Sequence, residues 1–105
     1  MADSPRLQQL QTLLANEPGD PFLQYALAME QMSVGDTAAA VTTFTNLAQT
    51  QPDYVPTYLM LAQALQKLGR DTDSADVLRK GIRAAEKAGE LHAAGELQGM
   101  LAIVE

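Results

Sequence analysis

The chain has 105 residues with no cysteine, only two Phe and three Tyr, and thirteen acids against seven bases, for a formal net charge of −6 at pH 7. That length fits one domain, and without thiols neither a disulfide framework, a thiolate metal site nor a thiol nucleophile can be built. The acidic balance argues against nucleic acid or anionic lipid as a ligand, and it is uneven: residues 1–58 hold six acids and only Arg6 as a base, whereas residues 59–105 hold seven acids and six bases.

No apolar run is long enough to span a bilayer, and the N-terminus lacks the apolar core of a secretion signal, so a soluble cytoplasmic protein with no membrane contact is expected. Abundant Ala, Leu and Gln with few β-branched runs read as all-α by propensity.

Ser4 directly before Pro5 opens a helix: the hydroxyl accepts from an orphaned N–H, and proline at the first helical position forfeits no bond. Leu7, Leu10, Leu13 and Leu14 then form one apolar stripe at helical spacing, closed by Pro18-Gly19, which predicts a helix over 4–16. Asp20-Pro21 repeats the start signal. The next helix is predicted to run to about Val34, with Gly35 taking the left-handed conformation that ends it. Asp36 or Thr37 caps a third helix carrying Ala40, Val41, Phe44, Leu47 and Ala48, which stops before Pro52 because the residue preceding proline resists helical angles. So short a link forces the two helices into an antiparallel hairpin.

Asp53 starts a second pair, whose first helix tolerates Pro56 in its opening turn and has the stripe Tyr58, Leu61, Ala62, Leu65 and Leu68. Gly69 ends that helix, Asp71 or Thr72 caps the next, and Ala75, Leu78, Gly81, Ile82 and Ala85 supply its buried face toward Gly89. Leu91, Ala94, Leu97, Leu101 and Val104 define a final amphipathic helix over 90–104, expected to cover the end of the stack. Gly95 and Gly99 share a face of it and permit close approach of an internal helix, with a dimer partner as the alternative.

The two hairpins are one unit written twice. Shifted by thirty-four residues, the stretch 22–52 falls on 56–86: Leu27-Ala28 on Leu61-Ala62, Gly35 on Gly69, Ala40-Val41 on Ser74-Ala75, and Phe44 on Leu78. Small residues at Ala28, Ala40, Ala62 and Ser74 let helix axes approach, while Phe44 and Leu78 fill the gaps between neighbours. A hairpin of two short helices buries too little alone, so such units stack.

This register resembles the tetratricopeptide repeat family, in the form of a small stand-alone bacterial-type domain. The resemblance implies an all-α, right-handed α-α superhelix of antiparallel helix hairpins. It makes residues 1–105 a single domain, with full repeats at 21–52 and 55–86, an N-terminal half repeat at 4–16 and a capping helix at 90–104. The sequence departs from the family where Gln24 stands at an aromatic position, Ala28 and Ala62 replace a small glycine, and Gly81 replaces an alanine.

Members of that family present the inner face of each first helix to a peptide in a concave groove. Carried over by position, the face shows Phe22, Tyr25, Ala26, Met29, Met32 and Ser33 from the first copy, and Leu59, Met60, Gln63, Gln66 and Lys67 from the second. It is apolar and rich in Met, whose flexible thioether suits adaptable surfaces. The competing reading buries these residues against the terminal helices; the groove reading fails if Tyr25, Met29, Met32 and Met60 are all buried. Some members hold an acidic C-terminus through several inner-face Lys, Arg and Asn residues, and here Lys67 stands alone, which argues against that clamp.

No catalytic residues, metal site or cofactor are assigned. Asp71, Asp73 and Asp76 resemble a calcium loop only at its start, since Ile82 occupies the place of the distal bidentate acid, and helix capping explains them better. His92 and Glu96 make two potential ligands where a metal needs three or four. The expectation is therefore a non-catalytic module binding a short apolar or amphipathic segment of a protein or peptide partner. The alternative is a self-association module forming a homodimer through the inner face or the Gly95/Gly99 face, and an enzyme ranks third.

Overall fold

Local chemistry places the helix ends. Ser4 Oγ accepts from Leu7 N at 2.9 Å, Asp20 Oδ1 from Phe22 N and Leu23 N, and Asp36 Oδ1 from Ala39 N at 3.1 Å. These caps open α1 (Pro5–Asn16), α2 (Pro21–Ser33) and α3 (Thr37–Thr50). The computed structural model, which describes residues 4–105, continues with α4 (Pro56–Lys67), α5 (Asp71–Lys87) and α6 (Leu91–Val104), and has no strand among the described residues.

Gly35, Gly69 and Gly89 take φ of 88°, 75° and 74°. At each one the glycine N–H and the N–H that follows it turn back onto carbonyls of the preceding helix: Gly69 N to Gln66 O and Arg70 N to Leu65 O, for example, at 2.9 Å each. A left-handed residue closes these turns without the clash a Cβ would bring.

Two starts differ from the sequence expectation. Neither Asp71 nor Thr72 caps α5: Arg70 holds the cap position without a side-chain bond, and Asp71 is the first helical residue. Nor does α4 start at Asp53: Tyr54 and Val55 first close a turn, accepting from Thr57 N and Tyr58 N, before Pro56 enters the helix.

The helices stack as hairpins. α2 packs on α3 and α4 on α5, while α3 packs on α4 to join the two hairpins; α1 packs only on α2, and α6 on α5 and α4. α2, α4 and α6 form a touching row, whereas no Cα of α3 comes within 8 Å of one in α5, so the backbones splay apart on the α3/α5 side.

Ala28, Ala40, Ala62 and Ser74 are fully buried, as are Phe44 and Leu78. Ser74 also bonds across its hairpin, its hydroxyl donating to the Ala62 carbonyl at 2.8 Å. One core cluster centres on Phe44 with Ala28, Ala40, Leu61 and Leu65, and a second on Leu78 with Tyr58, Ala62, Ala85 and Leu97.

Not every stripe residue is covered. Leu13 is 47% exposed because α1 has a single neighbour, and Leu68 is 43% exposed because it lies just past the last turn of α4. Leu91, Gly95, Gly99 and Ile103 form one row along α6. Leu91 and Ile103 are about three-quarters exposed, and a Cβ placed on either glycine would meet nothing within 4 Å. The internal helix expected against these glycines is absent among the described residues, because α6 spends its opposite side, Ala94 and Leu97, on the core.

Candidate interaction surface

The inner face is built from α2, α4 and α6. Tyr25, Pro56, Leu59 and Met60 meet Ala93 and Leu97 around a cleft of about 210 Å³. A second cleft of about 250 Å³ lies between α1 and α2, where Phe22, Tyr25, Ala26 and Met29 face Arg6 and Glu30. Tyr25 belongs to both. Its ring stands edge-on to Phe44 at 5.8 Å between centroids and tilted against Tyr54 at 5.9 Å, which fixes its orientation.

Tyr25, Met29, Met32 and Met60 are all half-buried and rest on the Phe44 cluster. The condition that would have removed the groove, all four buried, is not met. Phe22 is 65% exposed. Met32, Gln63, Gln66 and Lys67 line neither inner-face cleft; Gln66 and Lys67 are exposed in the last turn of α4. The structure thus gathers Phe22, Tyr25, Met29, Leu59 and Met60 around the two clefts and leaves the polar C-terminal part of α4 outside them.

The rim of the α2/α4/α6 cleft is acidic. Glu90 and Glu96 line the α2/α4/α6 cleft, and Glu30 borders the other, where it takes a bond from Ser4 Oγ at 3.1 Å and lies 3.4 Å from Arg6. Residues of α6 lie outside the two repeats, so the thirty-four-residue register does not point to them. Burial raises the Tyr25 phenol above its ordinary range, with Tyr54 adding to the effect; burial does the same to Tyr58, helped by Asp53.

Two of the three acids at the start of α5 are engaged in ion pairs. Asp73 pairs with Arg70 at 2.8 Å and Asp76 with Arg79 at 3.3 Å, while His92, 94% exposed, lies 3.8 Å from Glu96. A larger cleft, about 580 Å³, lies on the opposite side of the stack between α3 and α5. Sequence reasoning missed it, although Lys80, Arg83 and Lys87 recur at helical spacing on the helix that lines it.

Two models of the tetratricopeptide repeat family match this chain, over residues 1–54 and 31–97. The chain belongs to the tetratricopeptide repeat family. A solution structure of a tetratricopeptide repeat domain protein from Salinibacter ruber is 36% identical, covering 84% of this chain and 89% of that one, with a TM-score of 0.80. PcrH, solved in complex with the chaperone binding region of PopD, superimposes with a TM-score of 0.86 at 16% identity, over 93% of this chain and 74% of that one. The type III secretion translocator chaperone SycD of Yersinia enterocolitica gives 0.84 at 14% identity, over 93% and 68%. At those identities the last two are similar in fold alone. Comparison with curated proteins finds no match.

As a tetratricopeptide repeat chain, this one carries its departures in the packing. Gln24 donates to the Pro18 carbonyl at 2.6 Å, tying α2 to the turn before it. Gly81 lies against Tyr58 too closely to admit a side chain.

Proposed function

We infer that this tetratricopeptide repeat chain is a non-catalytic interaction module whose inner face takes a short apolar or amphipathic segment of a partner protein. The observation that carries this reading is the half-buried set Tyr25, Leu59 and Met60, which meets Leu97 of α6 around an open apolar cleft. A cleft of about 210 Å³ holds one or two side chains rather than a whole small ligand. The exposed Phe22 extends the apolar surface, and Glu90 and Glu96 favour a segment with a basic residue beside its apolar anchor. PcrH, of the same fold, is seen with a segment of another protein, which supports the class of partner without supplying its identity. On this reading residues 21–52 and 55–86 are the repeats, 4–16 a half repeat and 90–104 the cap.

Selection of random displayed dodecapeptides on the wild-type chain, with a Met29→Glu, Met60→Glu double variant as counter-target, tests this directly. The expected peptides share an apolar anchor flanked by Lys or Arg and lose binding to the variant. Peptides that bind both proteins equally would remove the inner face as the site.

Self-association is the second reading, supported by the exposed Leu91 and Ile103 that flank the open Gly95 and Gly99. Light scattering over a dilution series checks it: a dimer that Ile103→Glu dissociates supports this surface, and a monomer at tens of micromolar ends the idea.

A further inference from the structure

A cleft with charged walls lies between α3 and α5, on the side away from the inner face. Its floor is apolar: Val41 and Ala48 from α3, Leu61 and Leu65 from α4, Val77 and Ala84 from α5. Three acids line it, and two of them are ion-paired: Asp73 with Arg70, and Asp76 with Arg79, whose guanidinium Glu105 shares. That leaves Lys80, Arg83 and Lys87 against Asp53 alone. The three bases are exposed, project along one side of α5 at positions i, i+3 and i+7, and have no ion pair among the described residues.

A chain of net charge −6 has few bases to place, and it places three unpaired ones in a single cleft. Lys87 interacts favourably with the carbonyl end of α5, which accounts for one of them; Lys80 and Arg83 are too far from that end for the helix dipole to explain. The cleft's volume, about 580 Å³, falls in the range of ligand sites. Cationic rim and apolar floor together match a ligand that alternates carboxylates with aliphatic side chains. A polyphosphate backbone fits less well, because it brings no apolar surface for the floor and meets Asp53 and the acidic remainder of the chain.

We propose that the α3/α5 cleft is a second docking site, which binds an acidic amphipathic peptide segment of a partner protein through Lys80, Arg83 and Lys87. It is separate from the inner face, whose rim is acidic, so the two faces select segments of opposite charge.

The test is fluorescence anisotropy on the full chain with a labelled dodecapeptide of Glu and Leu at helical spacing, beside the same peptide with Gln for Glu. The Glu peptide binds, its affinity falls as salt is raised, and a Lys80→Gln, Arg83→Gln, Lys87→Gln variant loses about tenfold or more. All three side chains are exposed, so this variant stays folded, and its circular-dichroism melt shifts only by the small loss of Lys87 at the carbonyl end of α5. The inner-face variant Met29→Glu, Met60→Glu binds the Glu peptide as the wild type does, whatever it does to inner-face ligands. The proposal is overturned if the Glu peptide does not bind, if the Gln peptide binds equally, or if the triple variant is unaffected. It is also overturned if the inner-face variant loses the binding, or if a single-stranded oligonucleotide binds at the same cations more tightly than the peptide.

Discussion

A Cβ added to Gly81 would stand 2.5 Å from Cβ of Tyr58 and 2.9 Å from its Cγ. The helix axes of α4 and α5 approach at this point as closely as a missing side chain allows, and Leu97 of α6 closes the same space at 3.3 Å. Gly81→Ala adds roughly 1 kcal/mol of helix propensity, yet overpacking costs about 1–3 kcal/mol. Because the opposing Cβ moves only with its backbone, the clash outweighs the propensity gain, and a net loss of up to about 2 kcal/mol is expected in urea denaturation. Gly95→Ala, with open space around it, is expected to stabilise by up to about 1 kcal/mol. Equal effects of the two substitutions would contradict this packing.

Leu78 has no exposed surface and anchors the second core cluster. Leu78→Ala is therefore expected to cost about 2–5 kcal/mol, read as a lower denaturant midpoint with an unchanged slope. A loss below about half a kcal/mol would mean that the site collapses around the shorter side chain.

Asp36 and Asp71 occupy corresponding turns yet differ in what they hold. Asp36 Oδ1 accepts from Ala39 N, whereas Asp71 lies inside the first turn of α5 without a cap bond. Asp36→Ala is expected to cost ~1 kcal/mol. Asp71→Ala loses only a dipole interaction, about 0.3–1 kcal/mol, which salt screens. Thermal melts at low and high salt separate the two.

Alkaline pH is expected to destabilise the fold through its buried phenols. Burial, and then Asp53, raise the Tyr58 pKa above 10.0, and Tyr58 donates its hydroxyl proton to the Pro52 carbonyl. Below about pH 10 the folded and unfolded chains both keep this proton, so stability does not respond. Above it the unfolded chain releases the proton first, the folded state holds more protons, and stability falls as pH rises through the folded pKa. Tyr25 acts in the same direction. Tyr58→Phe should flatten the fall in denaturant midpoint between neutral and strongly alkaline pH; an unchanged slope would assign it to other groups.

Much of this molecule is legible in its sequence because much of it is decided locally. Ser4, Asp20 and Asp36 cap the helices they precede, and Gly35 and Gly69 adopt the left-handed turn that a thirty-four-residue register assigns to them. The same register picks out Ala28, Ala40, Ala62 and Ser74 as close-packing positions, because residues three or four apart share a helix face wherever the helix lies. The all-α hairpin stack and the family follow from those positions.

Other features depend on how helices far apart in sequence splay or meet, and no local pattern encodes that. Leu91 and Ala94 read as one stripe, yet only Ala94 meets the core. Gly81 reads as a departure from its repeat until Tyr58 is found against it. Lys80, Arg83 and Lys87 are no more than three bases at helical spacing until α3 and α5 are seen to stand apart and leave a cleft between them. Periodicity by itself determined which residues turn inward along each helix; only the tertiary arrangement decided which of those faces another helix covers and which remain open to a partner.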